Sequence, residues 1–139
     1  AHDCMVGSYC IFANNASIAG HVHVGDYAII GGMVGVHQFC HIGAHSFIAG
    51  NTLVLKDVPA YVMASGQPAR PFGLNSEGLK RRGFAKESIL AIKRAYKLMY
   101  RKGLSVESAL TSINAMPEQS QELDLFCRSI KESNRGIIR

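Results

Sequence analysis

A bulky apolar residue recurs at every sixth position between residues 6 and 54. A period of six does not place side chains on one face of an α-helix, which repeats every 3.6 residues. It is typical of a stack of short strands, each followed by a corner, in which neighbouring coils share one apolar core. The nine anchor residues are Val6, Phe12, Ile18, Val24, Ile30, Val36, Ile42, Ile48 and Val54.

Small residues occupy the positions around these anchors. The residue after the anchor is Gly or Ala in seven of the nine repeats, which suits a tight corner. The spacing resembles that of the hexapeptide-repeat proteins, in which three hexapeptides make one triangular, left-handed coil. The resemblance implies a coil of about 18 residues. We therefore predict a left-handed parallel β-helix of about three coils over residues 1–58.

The repeat ends at Pro59, and two different segments follow. Three of the four prolines lie in residues 59–74, which predicts an extended connector. Residues 75–139 change to helical spacing and predict a small α-helical bundle packed on the end of the β-helix. We expect one helix to end at Gly103, a second to open near Ser105 and the last to start at Pro117. The predicted apolar stripes are Ile89, Ile92, Tyr96 and Met99, then Leu123, Phe126 and Ile130.

Charge divides the chain in the same way. Residues 1–74 carry a net charge of −1 and all six histidines, whereas residues 75–139 carry +6. No apolar run approaches the roughly 20 residues that cross a bilayer, and we expect no charged-then-apolar leader. The four cysteines contain no C-x-x-C pair, and we interpret them as small, buried free thiols in a reducing compartment.

Residues 18 positions apart are predicted to stack about 4.8 Å from one another. This places His2, Gly20, Gln38 and Lys56 in one column and Asp3, His21, Phe39 and Asp57 in the next. His37 adjoins Gln38 and replaces the small residue that its position otherwise carries, and such departures from a local rule are expected at functional sites. A polar cluster is thus predicted along one edge of the β-helix.

His2 is the candidate general base of this cluster. An imidazole titrates near neutral pH, and a neighbouring carboxylate such as Asp3 orients it. The backbone N–H of Gly20 is a candidate oxyanion donor, although a glycine in this repeat also suits a structural corner. From the residues alone, the alternative that His2 and His21 are solvent-exposed corner residues stays open.

A metal site is the main rival for a histidine-rich β-helix. The γ-type carbonic anhydrases share the architecture and bind zinc through a His-x4-His spacing and a third histidine. No two histidines here are five positions apart, and His23 with His41 makes a stacked pair that lacks a third ligand. We expect neither a metal nor another cofactor.

Three short stretches and one long one resemble the UDP-N-acetylglucosamine 3-O-acyltransferases, which catalyse the first step of lipid A synthesis. The long stretch distinguishes that family from other hexapeptide-repeat acyltransferases, and the chain's last five residues resemble the family's C-terminus. The chain opens inside the repeat without Met, so we expect a fragment that matches the C-terminal half of a family member. The stretches are 1–4, 20–22, 36–40 and 70–84.

The resemblance implies a role for each matching residue. His2 is the general base, Asp3 orients it, and Gly20 stabilises the oxyanion. The remaining residues line the substrate cleft: His21, His37, Gln38, Asn75, Glu77, Arg81 and Arg82. An arginine pair suits a diphosphate, although a solvated basic face is the open alternative for residues 80–82. Gly50 stands where the family measures acyl length.

The resemblance also implies a cytoplasmic homotrimer that takes its acyl group from acyl carrier protein and transfers it to UDP-N-acetylglucosamine. The basic charge of residues 75–139 suits an acidic carrier protein. Nucleic acid is a weaker partner for this surface because no aromatic–basic motif accompanies it. Two alternatives stay open, namely a related N-acyltransferase and an inactive β-helix scaffold.

Overall fold

A computed structural model describes all 139 residues as a parallel β-solenoid of about three turns followed by four α-helices. Nine two-residue strands form the turns and fall into three sheets, so the solenoid has three sides. Side A contains Met5–Val6 (β1), His23–Val24 (β4) and His41–Ile42 (β7). Side B contains Ile11–Phe12 (β2), Ile29–Ile30 (β5) and Phe47–Ile48 (β8). Side C contains Ser17–Ile18 (β3), Gly35–Val36 (β6) and Leu53–Val54 (β9).

The predicted register of 18 residues is confirmed for the first three turns. Met5 pairs with His23, and His23 pairs with His41. The second residue of each strand is the anchor of the repeat and points inward, and from Val24 onward every anchor is buried. The first anchors differ, because β1, β2 and β3 pair on one side only. Val6 and Phe12 are therefore 50% and 39% exposed.

Each corner between two strands contains one non-glycine residue with a left-handed backbone. Nine of these residues recur every sixth position from Asp3 to Asn51, with φ between 58° and 66°. Such values are uncommon outside glycine, and Asn, Asp and His tolerate them best. The repeat imposes this conformation on Tyr27, Met33 and Phe39 as well. The edges of the solenoid thus carry one left-handed residue in every hexapeptide.

The last turn is two residues shorter than the others. Val58 pairs with Ile42, and the Asp57 carboxylate accepts a hydrogen bond from the His41 amide 16 residues earlier. The predicted placement of Asp57 over Phe39 is therefore wrong. The physical reason is that the C-terminal tail joins this edge, where the Asp57 backbone pairs with Ile137.

Residues 62–74, within the segment expected to be an extended connector, form an antiparallel pair of strands. These are Val62–Gly66 (β10) and Ala69–Leu74 (β11), and β10 also pairs in parallel with β8. Side B thereby extends to five strands in the order β11-β10-β8-β5-β2. The chain from 62 to 74 thus joins the solenoid to the helices that follow.

The four helices are Ser76–Arg81 (α1), Lys86–Tyr100 (α2), Val106–Asn114 (α3) and Gln121–Lys131 (α4). Both predicted stripes are buried, in one core that also contains the solenoid anchors. The last helix begins later than predicted, because Ser120 caps it by accepting a hydrogen bond from the Leu123 amide. The side chain of Gln119 donates to carbonyls at the end of α3, so the chain turns before α4 starts. None of the four helices combines the length and apolar character that a membrane crossing requires.

Candidate active site

The His2 and Asp3 side chains meet at the corner between sides C and A, which we call corner 1. Nδ1 of His2 lies 3.0 Å from Oδ2 of Asp3, and both side chains are exposed to solvent. The left-handed backbone of Asp3 directs its carboxylate back toward the preceding residue. This pairing holds the imidazole by Nδ1 and leaves Nε2 as the nitrogen that is able to accept a proton.

Gly20 stacks beneath the His2 ring at corner 1. A Cβ atom on Gly20 would lie 2.9 Å from Cε1 and 3.0 Å from Nε2 of His2, so the ring occupies space that only glycine leaves open. The Gly20 amide donates no hydrogen bond within the chain, whereas its carbonyl accepts one from the Phe39 amide. The Gly20 residue next to the candidate base therefore has a backbone N–H without an acceptor in the chain, and an oxyanion formed there would need such a donor.

His21 completes the cluster. Its Nε2 lies 3.8 Å from Oδ2 of Asp3, and its ring packs edge-on against His2 with 5.2 Å between centroids. The Phe39 ring stacks on the other side of His21 at 4.7 Å. The 18-residue period predicted this column, but sequence reasoning gave Phe39 no role in orienting His21.

His37 and Gln38 belong to corner 1 in the next turn. Nδ1 of His37 lies 3.0 Å from the carbonyl oxygen of Gln38, and the Gln38 side chain is exposed. Six of the predicted site residues therefore share one corner: His2, Asp3, Gly20, His21, His37 and Gln38. An open cavity of about 430 Å³ adjoins this corner and reaches the Arg135 side chain, which sequence reasoning did not single out.

The predicted substrate residues of α1 lie at a different corner, the one between sides A and B, which we call corner 2. Asn75 is buried there and caps α1, because its Oδ1 accepts from the Gly78 amide while its Nδ2 donates to the His45 carbonyl. Glu77 pairs with Lys80 at 3.6 Å. Arg81 and Arg82 are both exposed.

A ladder of aromatic rings runs along corner 2 and receives Arg82. Tyr9, Tyr27 and His45 stack with centroids about 5 Å apart, and the Arg82 guanidinium lies 4.5 Å from the centre of the Tyr27 ring. Burial lowers the pKa of His45, and the positive charge of Arg82 lowers it further. One chain therefore does not bring Arg82 and His2 to the same corner.

Gly50 lies at the third corner, between sides B and C, where it is exposed. A Cβ atom there would approach the Gly32 carbonyl oxygen at 3.3 Å. The predicted site residues thus occupy all three corners of the solenoid. All four cysteines are free, and burial raises the pKa of the Cys40 and Cys127 thiols, which keeps them protonated and unreactive.

The protein is a parallel β-solenoid protein with a helical C-terminal segment and a His–Asp pair at one corner of the solenoid. Residues 57–138 match the family model described as "Udp N-acetylglucosamine O-acyltransferase; Domain 2". The chain belongs to the UDP-N-acetylglucosamine O-acyltransferase family.

Relatives and solved structures agree with this assignment. The chain is 51% identical over 138 residues to the acyl-[acyl-carrier-protein]–UDP-N-acetylglucosamine O-acyltransferase of Pseudomonas entomophila, and 52% identical over 139 residues to that of Thiobacillus denitrificans. These alignments cover 99% and 100% of the chain but 54% of each relative. The chain thus spans about half the length of these curated relatives. The structure of LpxA from Acinetobacter baumannii superposes with a TM-score of 0.96 at 50% identity, covering 100% of this chain and 54% of that one.

Proposed function

We propose that this chain carries the catalytic corner of an enzyme that transfers a (3R)-3-hydroxyacyl group from acyl carrier protein to the 3-hydroxyl of UDP-N-acetylglucosamine. This reaction is the first step of lipid A synthesis. The observation that carries the proposal is the contact between the His2 and Asp3 side chains, with the His2 ring packed against Gly20, which has no side chain. The names of the relatives supply the two substrates.

In the proposed mechanism, Nε2 of His2 removes the proton from the sugar 3-hydroxyl while that oxygen attacks the thioester carbonyl. Asp3 keeps the other ring nitrogen protonated and stabilises the imidazolium that forms. The Gly20 N–H donates to the oxyanion of the tetrahedral intermediate. The intermediate then collapses, the carbon–sulfur bond breaks, and the imidazolium returns its proton to the departing thiolate.

Substrate positioning is assigned to the rest of corner 1. His21 is held between His2 and Phe39 and presents its ring edge beside the base, where it contacts the sugar or the diphosphate. His37 and Gln38 lie one turn further along and contact the sugar or the acyl group. Gly50 is the proposed acyl-length ruler, because a residue without a side chain leaves room for a longer chain at its corner.

The proposed nucleotide-binding residues come from a neighbouring copy of the chain. Arg82 lies at corner 2 and His2 at corner 1, so two copies placed corner to corner bring them to one cleft. Such an arrangement closes as a ring, and we propose a homotrimer. Its support is the outward stripe of Ile11, Ile29, Phe47 and Met63 along side B, of which Ile11 is 52% exposed. Glu77 and Arg81 then face the partner's cleft together with Arg82, and the buried Asn75 holds these residues of α1 in place by capping the helix.

Acyl carrier protein is proposed to dock on the basic helical part of the chain in the cytoplasm. Residues 75–139 carry a net charge of +6, and acidic partners are drawn to such surfaces. We propose that residues 1–58, 59–74 and 75–139 act as the solenoid, the junction and the helical domain, and that the solenoid turns in the left-handed sense of its family.

The test is acyl transfer by a chimera in which this chain replaces the matching half of the Pseudomonas entomophila relative. We expect product from 3-hydroxyacyl–acyl carrier protein and UDP-N-acetylglucosamine, and a loss of at least about 100-fold in His2→Ala, as for removal of a general base. Ser17→Ala, an exposed position on side C, is the matched control and retains activity. A folded chimera without product, or product that His2→Ala leaves unchanged, would favour a scaffold role.

Mixed oligomers test the shared cleft. Neither His2→Ala nor Arg82→Ala is expected to be active alone. Equal amounts of the two, assembled together, restore about a quarter of the wild-type activity when each cleft takes His2 from one copy and Arg82 from the next. An absence of restoration would place both residues in the same cleft of one chain and contradict the shared arrangement.

A further inference from the structure

The same three side chains that form the candidate catalytic cluster have the composition of a metal site. Two imidazole nitrogens and one carboxylate oxygen, from His2, His21 and Asp3, all lie within 4.8 Å of one another. His₂-carboxylate sets with one open position bind Zn²⁺ in proteins. Histidine spacing alone does not reveal this cluster, because its third ligand is the carboxylate of Asp3 at the corner.

The two distances from the Asp3 carboxylate are close to those around a tetrahedral ion. Zinc bonds of about 2.0–2.2 Å to nitrogen and oxygen separate neighbouring ligand atoms by about 3.3 Å. Oδ2 of Asp3 lies 3.0 Å from Nδ1 of His2 and 3.8 Å from Nε2 of His21, so shifts of about half an ångström bring both pairs to that separation. His2 and Asp3 are exposed and His21 is partly exposed, which gives the ion an entry path and leaves its fourth position to water.

The stacked pair on side A is a poorer competitor for the ion. The rings of His23 and His41 lie 4.6 Å apart and nearly parallel. Asp26 is the carboxylate nearest to this pair along the chain, and its Oδ1 already accepts a hydrogen bond from the Ser8 amide, while Oδ1 of Asp57 accepts one from the His41 amide. Two imidazoles without a placed third ligand make a weaker zinc site.

We propose that corner 1 binds a divalent transition-metal ion through Nδ1 of His2, Oδ2 of Asp3 and Nε2 of His21, and that this ion switches the general base off. The second part rests on the proposed function. A neutral imidazole carries one proton, so an ion on Nδ1 places that proton on Nε2. His2 then has no lone pair with which to accept the proton of the sugar hydroxyl. The ion is an inhibitor and not a cofactor.

The first experiment is calorimetric titration of the chain with ZnCl₂, which does not depend on catalysis. We expect one ion per chain and at least tenfold weaker binding in Asp3→Asn and in His21→Asn. Asparagine tolerates the left-handed backbone at both positions, so these variants keep the fold. The matched control is His23→Thr/His41→Thr, which removes two imidazoles from neighbouring strands and leaves binding unchanged.

The second experiment compares binding with activity. In the active chimera, Zn²⁺ inhibits with a half-maximal concentration equal to the calorimetric Kd, and EDTA reverses the inhibition. Loss of Zn²⁺ binding in the control variant, or undiminished binding in Asp3→Asn and His21→Asn, overturns the proposed site. Tight binding at corner 1 without inhibition overturns the switch and leaves the site. If the chimera makes no product at all, the proposed function fails while the titration still decides on the metal.

Discussion

Nδ1 of His2 lies 3.0 Å from Oδ2 of Asp3, although the two residues are adjacent in a solenoid built of extended strands. Neighbours on a strand point to opposite sides. The left-handed backbone of Asp3, with φ of 58°, turns its side chain back toward His2. The corner conformation therefore creates the pair on which the proposed chemistry depends.

The first prediction concerns the orientation of the base. Asp3→Asn is expected to lower kcat/KM of the active chimera by about 100-fold, because an amide neither fixes the tautomer of His2 nor stabilises its imidazolium. The fold is retained, since asparagine adopts the left-handed backbone readily. Steady-state kinetics together with urea unfolding test this. A drop in activity that tracks a drop in the free energy of unfolding would assign Asp3 a structural role instead.

The second prediction concerns the space under the His2 ring. Gly20→Ala is expected to displace the exposed imidazole, because the new methyl group would lie 2.9 Å from Cε1, and to lower kcat at least about tenfold. Stability changes little, as the ring is able to swing into solvent. The matched control is Gly35→Ala, whose Cβ meets only Leu53 Cδ1 at an ordinary 3.7 Å. Equal kcat values for the two variants would contradict the proposed contact.

The third prediction is a pH dependence of stability that originates at corner 2. Burial, followed by the charge of Arg82, lowers the pKa of His45 in the folded chain below its ordinary value of 6.5. The unfolded chain therefore binds a proton at this residue more readily. The free energy of unfolding therefore has its full value above pH 6.5 and falls as the pH drops below that value. Urea unfolding midpoints at several pH values measure the loss.

Two variants isolate the contribution of His45. His45→Asn suits the left-handed backbone there and is expected to flatten the pH dependence. Arg82→Ala removes one of the two causes and is expected to reduce the dependence without abolishing it. A wild-type profile that neither variant alters would show that other groups govern the acid sensitivity.

The fourth prediction concerns the C-terminal tail. Ile138 is buried, and its amide donates a hydrogen bond to the Asp57 carbonyl at the shortened last turn. Ile138→Ala is expected to lower the free energy of unfolding by about 2–4 kcal/mol, as for a buried aliphatic side chain. Leu90→Ala, at an exposed position of α2, should change it by less than about 0.5 kcal/mol. Equal losses of unfolding free energy in Ile138→Ala and Leu90→Ala, measured by urea denaturation, would show that packing of the tail against the last turn does not stabilise the solenoid.

Much of the fold followed from the sequence, for local physical reasons. Each coil lacks a core of its own, so a strict period of six forces the anchors inward. The resemblance to the hexapeptide-repeat proteins adds the coil of 18 residues, which stacks residues 18 apart. The neighbourhood of His2, Gly20 and His21 was therefore predictable before any coordinates. The apolar stripes of α2 and α4 were predictable because a helix buries one face.

The sequence by itself determined the repeat, its core and the column that contains the candidate base. Only the tertiary structure decided the left-handed corners, the 16-residue last turn and the separation of Arg82 from His2. The left-handed corners were not predicted, because four of their nine residues, Tyr9, Tyr27, Met33 and Phe39, are not of the types that favour this backbone. The last turn depends on the pairing of Asp57 with Ile137, and the position of Arg82 depends on its contact with the ring of Tyr27. Both are contacts between residues far apart in the chain, and no local period encodes such contacts.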